Sequence, residues 1–196
     1  MSELSEFIKT FSETLLSRRR SLGSSGYEPV YYLVYSPERT VEMQNIKESL
    51  TSRLVQEGVT VHVFDVFQAV WRIWEEDPNW REILEWNREN PEGGKDLQET
   101  LSSVLDDSGA IVTRLREAIQ SAAQKERAVL FVTGLEALHS YLRPGSLENR
   151  LNGEFSVPTV FFYPGRMEGK NGLRFLNFYS LDVNYRSGHF AVPASN

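Results

Sequence analysis

The run Val157-Pro158-Thr159-Val160-Phe161-Phe162-Tyr163 constrains the fold more than any other stretch of the chain. It is short, apolar on both alternating faces, and rich in β-branched and aromatic side chains, so it reads as a buried strand. Pro164-Gly165 marks its end as a turn. A polar loop, Arg166 to Gly172, leads to a second run, Leu173-Arg174-Phe175-Leu176-Asn177-Phe178, which also carries apolar groups on both faces. The loop holds two cations, Arg166 and Lys170, and two glycines, a set that could cradle an anion. A hairpin connection uses the same residue types for turn geometry, and the hairpin is the plainer reading. Arg174 and Arg186 are expected to pair with Asp182.

Three more runs share this character: Val30–Tyr35, Val59–Phe64 and Ala128–Val132. Between the first two, Met43, Ile46, Leu50 and Leu54 recur at helical spacing, and Gly58 stands where a helix end favours glycine. Strand, helix, strand implies parallel pairing through a right-handed crossover. His62 lies inside the second strand and is expected to be a hydrogen-bonded sheet residue rather than a ligand. The predicted fold class is α/β: a mainly parallel sheet with helices on both faces.

Helical periodicity also frames the sheet runs. Leu4, Phe7, Ile8, Phe11, Leu15 and Leu16 predict an amphipathic first helix, ending near Arg18-Arg19-Arg20, where cations complement the helix dipole. Gly23-Ser24-Ser25-Gly26 predicts a flexible joint, so residues 1–26 are expected to pack independently of the core. From Val66 to about residue 126 the pattern is helical throughout, longer than one crossover requires, and predicts a helical insert within a single domain spanning residues 1–196. Phe67, Val70, Trp71 and Trp74 form one predicted stripe, and Trp80, Ile83 and Leu84 another, so Trp71, Trp74 and Trp80 are expected in the core. Trp86 falls off that second stripe, as either an exposed interface anchor or a ring covered by a neighbouring helix. After Gly188 the small residues around Pro193 predict a frayed end.

Charge and composition narrow the chemistry. Between Arg72 and Glu99 nine acids face four bases, a poor surface for phosphate backbones and an acidic face for solvent or a protein partner. Cysteine is absent, which removes thiolate metal sites and cysteine nucleophiles and agrees with a reducing compartment. The N-terminal segment lacks the basic and apolar parts of a signal peptide, and no run reaches the length of a membrane span, so a cytoplasmic location is expected. Ligands of an α/β sheet sit at the C-terminal ends of its strands. After the first strand stand Ser36-Pro37-Glu38-Arg39-Thr40, without the glycines and lysine of a phosphate-binding loop. Thr133-Gly134-Leu135-Glu136 follows the third strand with no acidic residue placed directly to hold magnesium. The skeleton is ATPase-like but lacks a P-loop. No Gly-x-Ser-x-Gly elbow occurs, and Asp106-Asp107 reads as a solvated pair at a helix end.

Val157-Pro158 followed by Phe162-Tyr163-Pro164-Gly165, then Leu173-Arg174-Phe175 and Asn184-Tyr185-Arg186, resembles the BrxB family of bacterial BREX phage-defence systems. Tyr35-Ser36-Pro37-Glu38 and Val132-Thr133-Gly134 are similar to that family's other recurring positions, and together these motifs cover about half the chain. The resemblance implies a small cytosolic component of a multi-protein system that restricts phage and methylates host DNA. It carries no catalytic residue over, and it implies a protein partner, foremost PglZ, the alkaline-phosphatase-like component.

Two expectations follow. The first is a non-enzymatic structural or adaptor subunit, without cofactor or metal, whose partner-binding candidates are Trp86, Tyr163, Arg166 and Arg174. The second is a degenerate ATPase-like effector that binds nucleotide or nucleic acid through Arg166, Lys170 and Arg174.

Overall fold

The computed structural model describes residues 3–18, 28–106, 109–169, 172–183 and 187–194. The first half runs α1 (Glu3–Arg18), β1 (Val30–Tyr35), α2 (Thr40–Gln56) and β2 (Thr60–Asp65). Four helices follow before the chain returns to the sheet: α3 (Val66–Glu76), α4 (Trp80–Glu89), α5 (Gly94–Leu105) and α6 (Ala110–Ala123). The rest is β3 (Ala128–Thr133), α7 (Pro144–Arg150), β4 (Thr159–Glu168), β5 (Gly172–Phe175) and β6 (Gly188–Ala191). Short 3-10 turns follow β1 and β3.

The strands lie in the order β2-β3-β4-β1-β6, all parallel, and β5 folds back antiparallel onto β4. Side chains alternate across the sheet, and each face receives its own helices. Val30, Tyr32 and Val34 of β1 pack with α3, α6 and α7, whereas Tyr31, Leu33 and Tyr35 pack with α1 and α2. The α/β fold class holds, with helices on both faces. Three of the four helices after β2, namely α3, α5 and α6, supply much of one face: Val66, Val70, Ile73, Leu105, Ile111, Leu115 and Ile119 are all buried there.

Several expectations change. The first helix does not stand apart, because Phe11 and Leu15 are almost fully buried and the Phe11 ring meets Tyr31 and Phe190. Arg19 and Arg20, and the joint at residues 23–26, lie outside the described residues. Residues 188–192 are not frayed: Gly188–Ala191 form β6 beside β1, Val192 is buried, and Arg39 donates to the Val192 carbonyl at 3.2 Å.

The turn expected at Pro164-Gly165 is also absent, since β4 continues through both residues to Glu168. Its pairing with β3 covers only Thr159 to Phe161, so that side of β4 is open where Pro164 sits. The Pro164 carbonyl points to this side and accepts from Leu176 N–H, and the missing proline N–H leaves no ladder bond unmade there. Gly165 is required by close approach: a Cβ there would lie 2.2 Å from the Arg174 carbonyl oxygen. The hairpin reading of the following loop holds, with Arg166 opposite Arg174.

Candidate functional site

The sheet's C-terminal edge is shaped by three local devices. Asp65 ends β2 and caps α3, accepting from Gln68 N–H at 3.1 Å, which satisfies one of the free donors at the helix start. Gly134 ends β3 in the left-handed region at φ 71°, with its Cα close against Asp65 and the Phe67 backbone, where any side chain would crowd both. Tyr35 ends β1, and its hydroxyl donates to Glu136 Oε1 at 3.3 Å across the sheet end. Burial first, then the Glu136 charge, pushes the Tyr35 phenol well above its ordinary pKa, so it remains a donor throughout the physiological range.

These residues frame an open crevice of about 280 Å³. Lys47 and Gln44 of α2 form one wall, Asp65 and Phe67 another, and Glu136 and Thr133 a third. Among the described residues, no ion pair engages the Lys47 ammonium.

Next to the crevice, α3 presents an aromatic ridge. Its buried positions are Val66, Ala69, Val70 and Ile73, a stripe rotated from the one expected. Phe67 and Trp71, one helical turn apart, are therefore left 57% and 44% exposed. Trp71 meets Trp80 edge to face at 6.0 Å, Trp80 stacks on Trp74, and Trp74 meets Tyr141 at 5.2 Å. The Trp74 indole donates to the Leu101 carbonyl, which fixes the row at its inner end. Reading Trp71 as a core residue is thus corrected: it is the outer member of a ring chain whose inner members, Trp74 and Tyr141, pack against the core.

The four residues singled out from the sequence do not form one site. Trp86 is 38% exposed on α4, in a shallow groove with Ile83, Leu97 and Thr100, and its ring lies against Gly93, so it is partly covered by the start of α5. Tyr163 is a correction: it is buried among Tyr32, Phe161 and Phe175 and presents no surface to a partner. Arg166 and Arg174 are brought together, both on Glu168. Arg174 grips that carboxylate with two bonds of 2.7 and 2.9 Å and also donates to the Tyr179 carbonyl. Hydrogen bonds from Arg174 first, and from Arg166 second, pull the Glu168 carboxyl down to about 2. The expected pairing of Arg174 with Asp182 is therefore replaced by Glu168, while Lys170 and Arg186 lie outside the described residues. Asp106 faces Arg150 in an ion pair, and Asp107 is not described.

His62 is a sheet residue as expected, but its Nε2 has no hydrogen-bond partner among the described residues. Asp65, Phe67 and Trp71 are the functional candidates that sequence reasoning missed. Their signal was available: Asp65 three residues before Gln68 is a helix start, and positions 66, 69, 70 and 73 form the tighter apolar stripe, leaving 67 and 71 on another face.

No helix among the described residues is long and apolar enough to cross a membrane. No curated protein and no solved structure matches the chain significantly. The family model of BREX protein BrxB matches residues 62–190, from β2 through β6, so Asp65, Gly134 and Glu136 of the sheet edge, the ridge and the hairpin fall within it, while Tyr35, Gln44 and Lys47 precede it. The chain belongs to the BrxB family, and so to the components of BREX phage defence.

Proposed function

We propose that this protein is a non-enzymatic structural or adaptor subunit of a BREX assembly, and that it binds a partner protein, foremost the PglZ-like alkaline-phosphatase-superfamily component. The observation that carries this reading is the exposure of Phe67 and Trp71 on successive turns of α3, with Phe67 lining the sheet-end crevice. Large aromatic rings left in water on a rigid element are the usual anchors of protein interfaces. Trp71 is backed by Trp80, and through it by Trp74 and Tyr141, so its ring is preorganised and little conformational entropy is lost on docking.

Engagement of the hairpin cations supports the same choice over a phosphate-binding effector. Arg166 and Arg174 both face Glu168, so a phosphate there would have to displace a carboxylate already gripped by two guanidinium groups. The test is co-purification with the PglZ-like component, followed by size-exclusion chromatography with light scattering. Wild type is expected to elute as a stoichiometric complex, and Phe67→Ala with Trp71→Ala to elute apart from it. A complex that survives the double substitution removes the ridge from the interface.

A further inference from the structure

We propose that the crevice beside the ridge receives a guanidinium group, the side chain of an arginine on the partner protein. The inference rests on the adaptor reading and assigns chemistry to a second contact within the same interface.

The crevice holds two carboxylates, Asp65 and Glu136, against one ammonium, Lys47, so its balance favours a cation. Both acids are held in place. Asp65 is fixed by its bond to Gln68 N–H through Oδ1, and Glu136 by the Tyr35 hydroxyl through Oε1. Each of those bonds engages one oxygen and comes from a neutral donor. The raised pKa of the phenol keeps Tyr35 neutral and donating to Glu136.

Two carboxylates in one crevice suit arginine better than lysine. A planar guanidinium offers donors in a fork that can meet two carboxylates at once, whereas an ammonium is a point charge. Phe67 lines the crevice with more than half its surface exposed, which offers an entering guanidinium an aromatic neighbour. A volume of about 280 Å³ admits one long side chain and excludes a folded segment. A phosphate or carboxylate group would meet Lys47 favourably but face both acids, so an anionic occupant is disfavoured by the same count.

Three substitutions test this against the purified PglZ-like component by isothermal titration. Glu136→Gln keeps an acceptor for Tyr35, and Asp65→Asn keeps a competent helix cap, so both remove charge while preserving the fold. Each is expected to weaken binding about tenfold. Lys47→Gln removes the opposing cation and is expected to tighten binding severalfold. Thermal melts confirm that each variant is folded.

The sign at Lys47 discriminates between occupants: weaker binding by Lys47→Gln, with no loss from the two acid variants, means an anionic occupant and overturns the proposal. Unchanged affinity in all three variants, with Phe67→Ala and Trp71→Ala still disruptive, leaves the adaptor reading standing and removes the guanidinium. Absence of any wild-type complex overturns both.

Discussion

Tyr35 and Glu136, 101 residues apart in sequence, meet across the C-terminal end of the sheet, the phenol donating to the carboxylate at 3.3 Å. The contact ties the end of β1 to the turn after β3, two strands that β4 separates. A phenol held above its ordinary pKa in the folded state stabilises the fold fully below the unfolded value near 10, and that contribution is lost as pH rises through the folded value. Tyr35→Phe is expected to cost about 1 kcal/mol at neutral pH, read by urea denaturation. Above pH 10 wild type should lose stability faster than the variant. Parallel alkaline curves for the two proteins contradict the assignment.

Glu168 supplies a second pH-dependent reading. Its carboxyl is drawn from 4.5 to about 2 by Arg174 and Arg166, so its contribution is present above the unfolded value and lost as pH falls toward about 2. Carboxylate NMR titration is expected to place Glu168 well below the other glutamates, and Arg174→Ala to return it toward 4.5. An unmoved midpoint in that variant rules out the pairing.

At Gly165 the prediction is steric. Any Cβ would lie 2.2 Å from the Arg174 carbonyl, and that neighbour is backbone in a paired strand, which yields little. Gly165→Ala is expected to destabilise by about 2 kcal/mol or more. A variant as stable as wild type means the hairpin can shift on β4.

The burial of Phe11 makes α1 part of the fold. Phe11→Ala should cost about 3–5 kcal/mol in chemical denaturation, because it removes a ring packed against Tyr31 and Phe190. A loss under about 1 kcal/mol instead supports an independently moving helix.

Much of this fold was legible because its central strands are covered on both faces. Runs such as Val30–Tyr35 and Ala128–Thr133 are buried at every position, and a continuous apolar run is what two-sided burial writes into sequence. Gly58, expected past a helix end, indeed takes the left-handed conformation at φ 73°. β6 escaped notice because a short edge strand needs few apolar residues: Gly188–Ala191 pairs only with β1. The passage of β4 through Pro164 was hidden for a related reason, since it depends on where β3 stops. The ridge was obscured by its own composition. Phe67 and Trp71 look like core residues by type, and only the phase of Val66, Ala69, Val70 and Ile73 places them outside. The crevice could not be read at all, because Lys47, Asp65 and Glu136 are brought together by strand order.

Partner binding by the α3 ridge is open to direct measurement. Isothermal titration of the purified PglZ-like component into wild type, Phe67→Ala and Trp71→Ala, with thermal melts of each, measures it in one experiment. Both rings are exposed, so the melts should change little, while each substitution should weaken binding by about 2 kcal/mol, roughly thirtyfold. Wild-type affinity in both folded variants would contradict the claim that this face of α3 holds a partner.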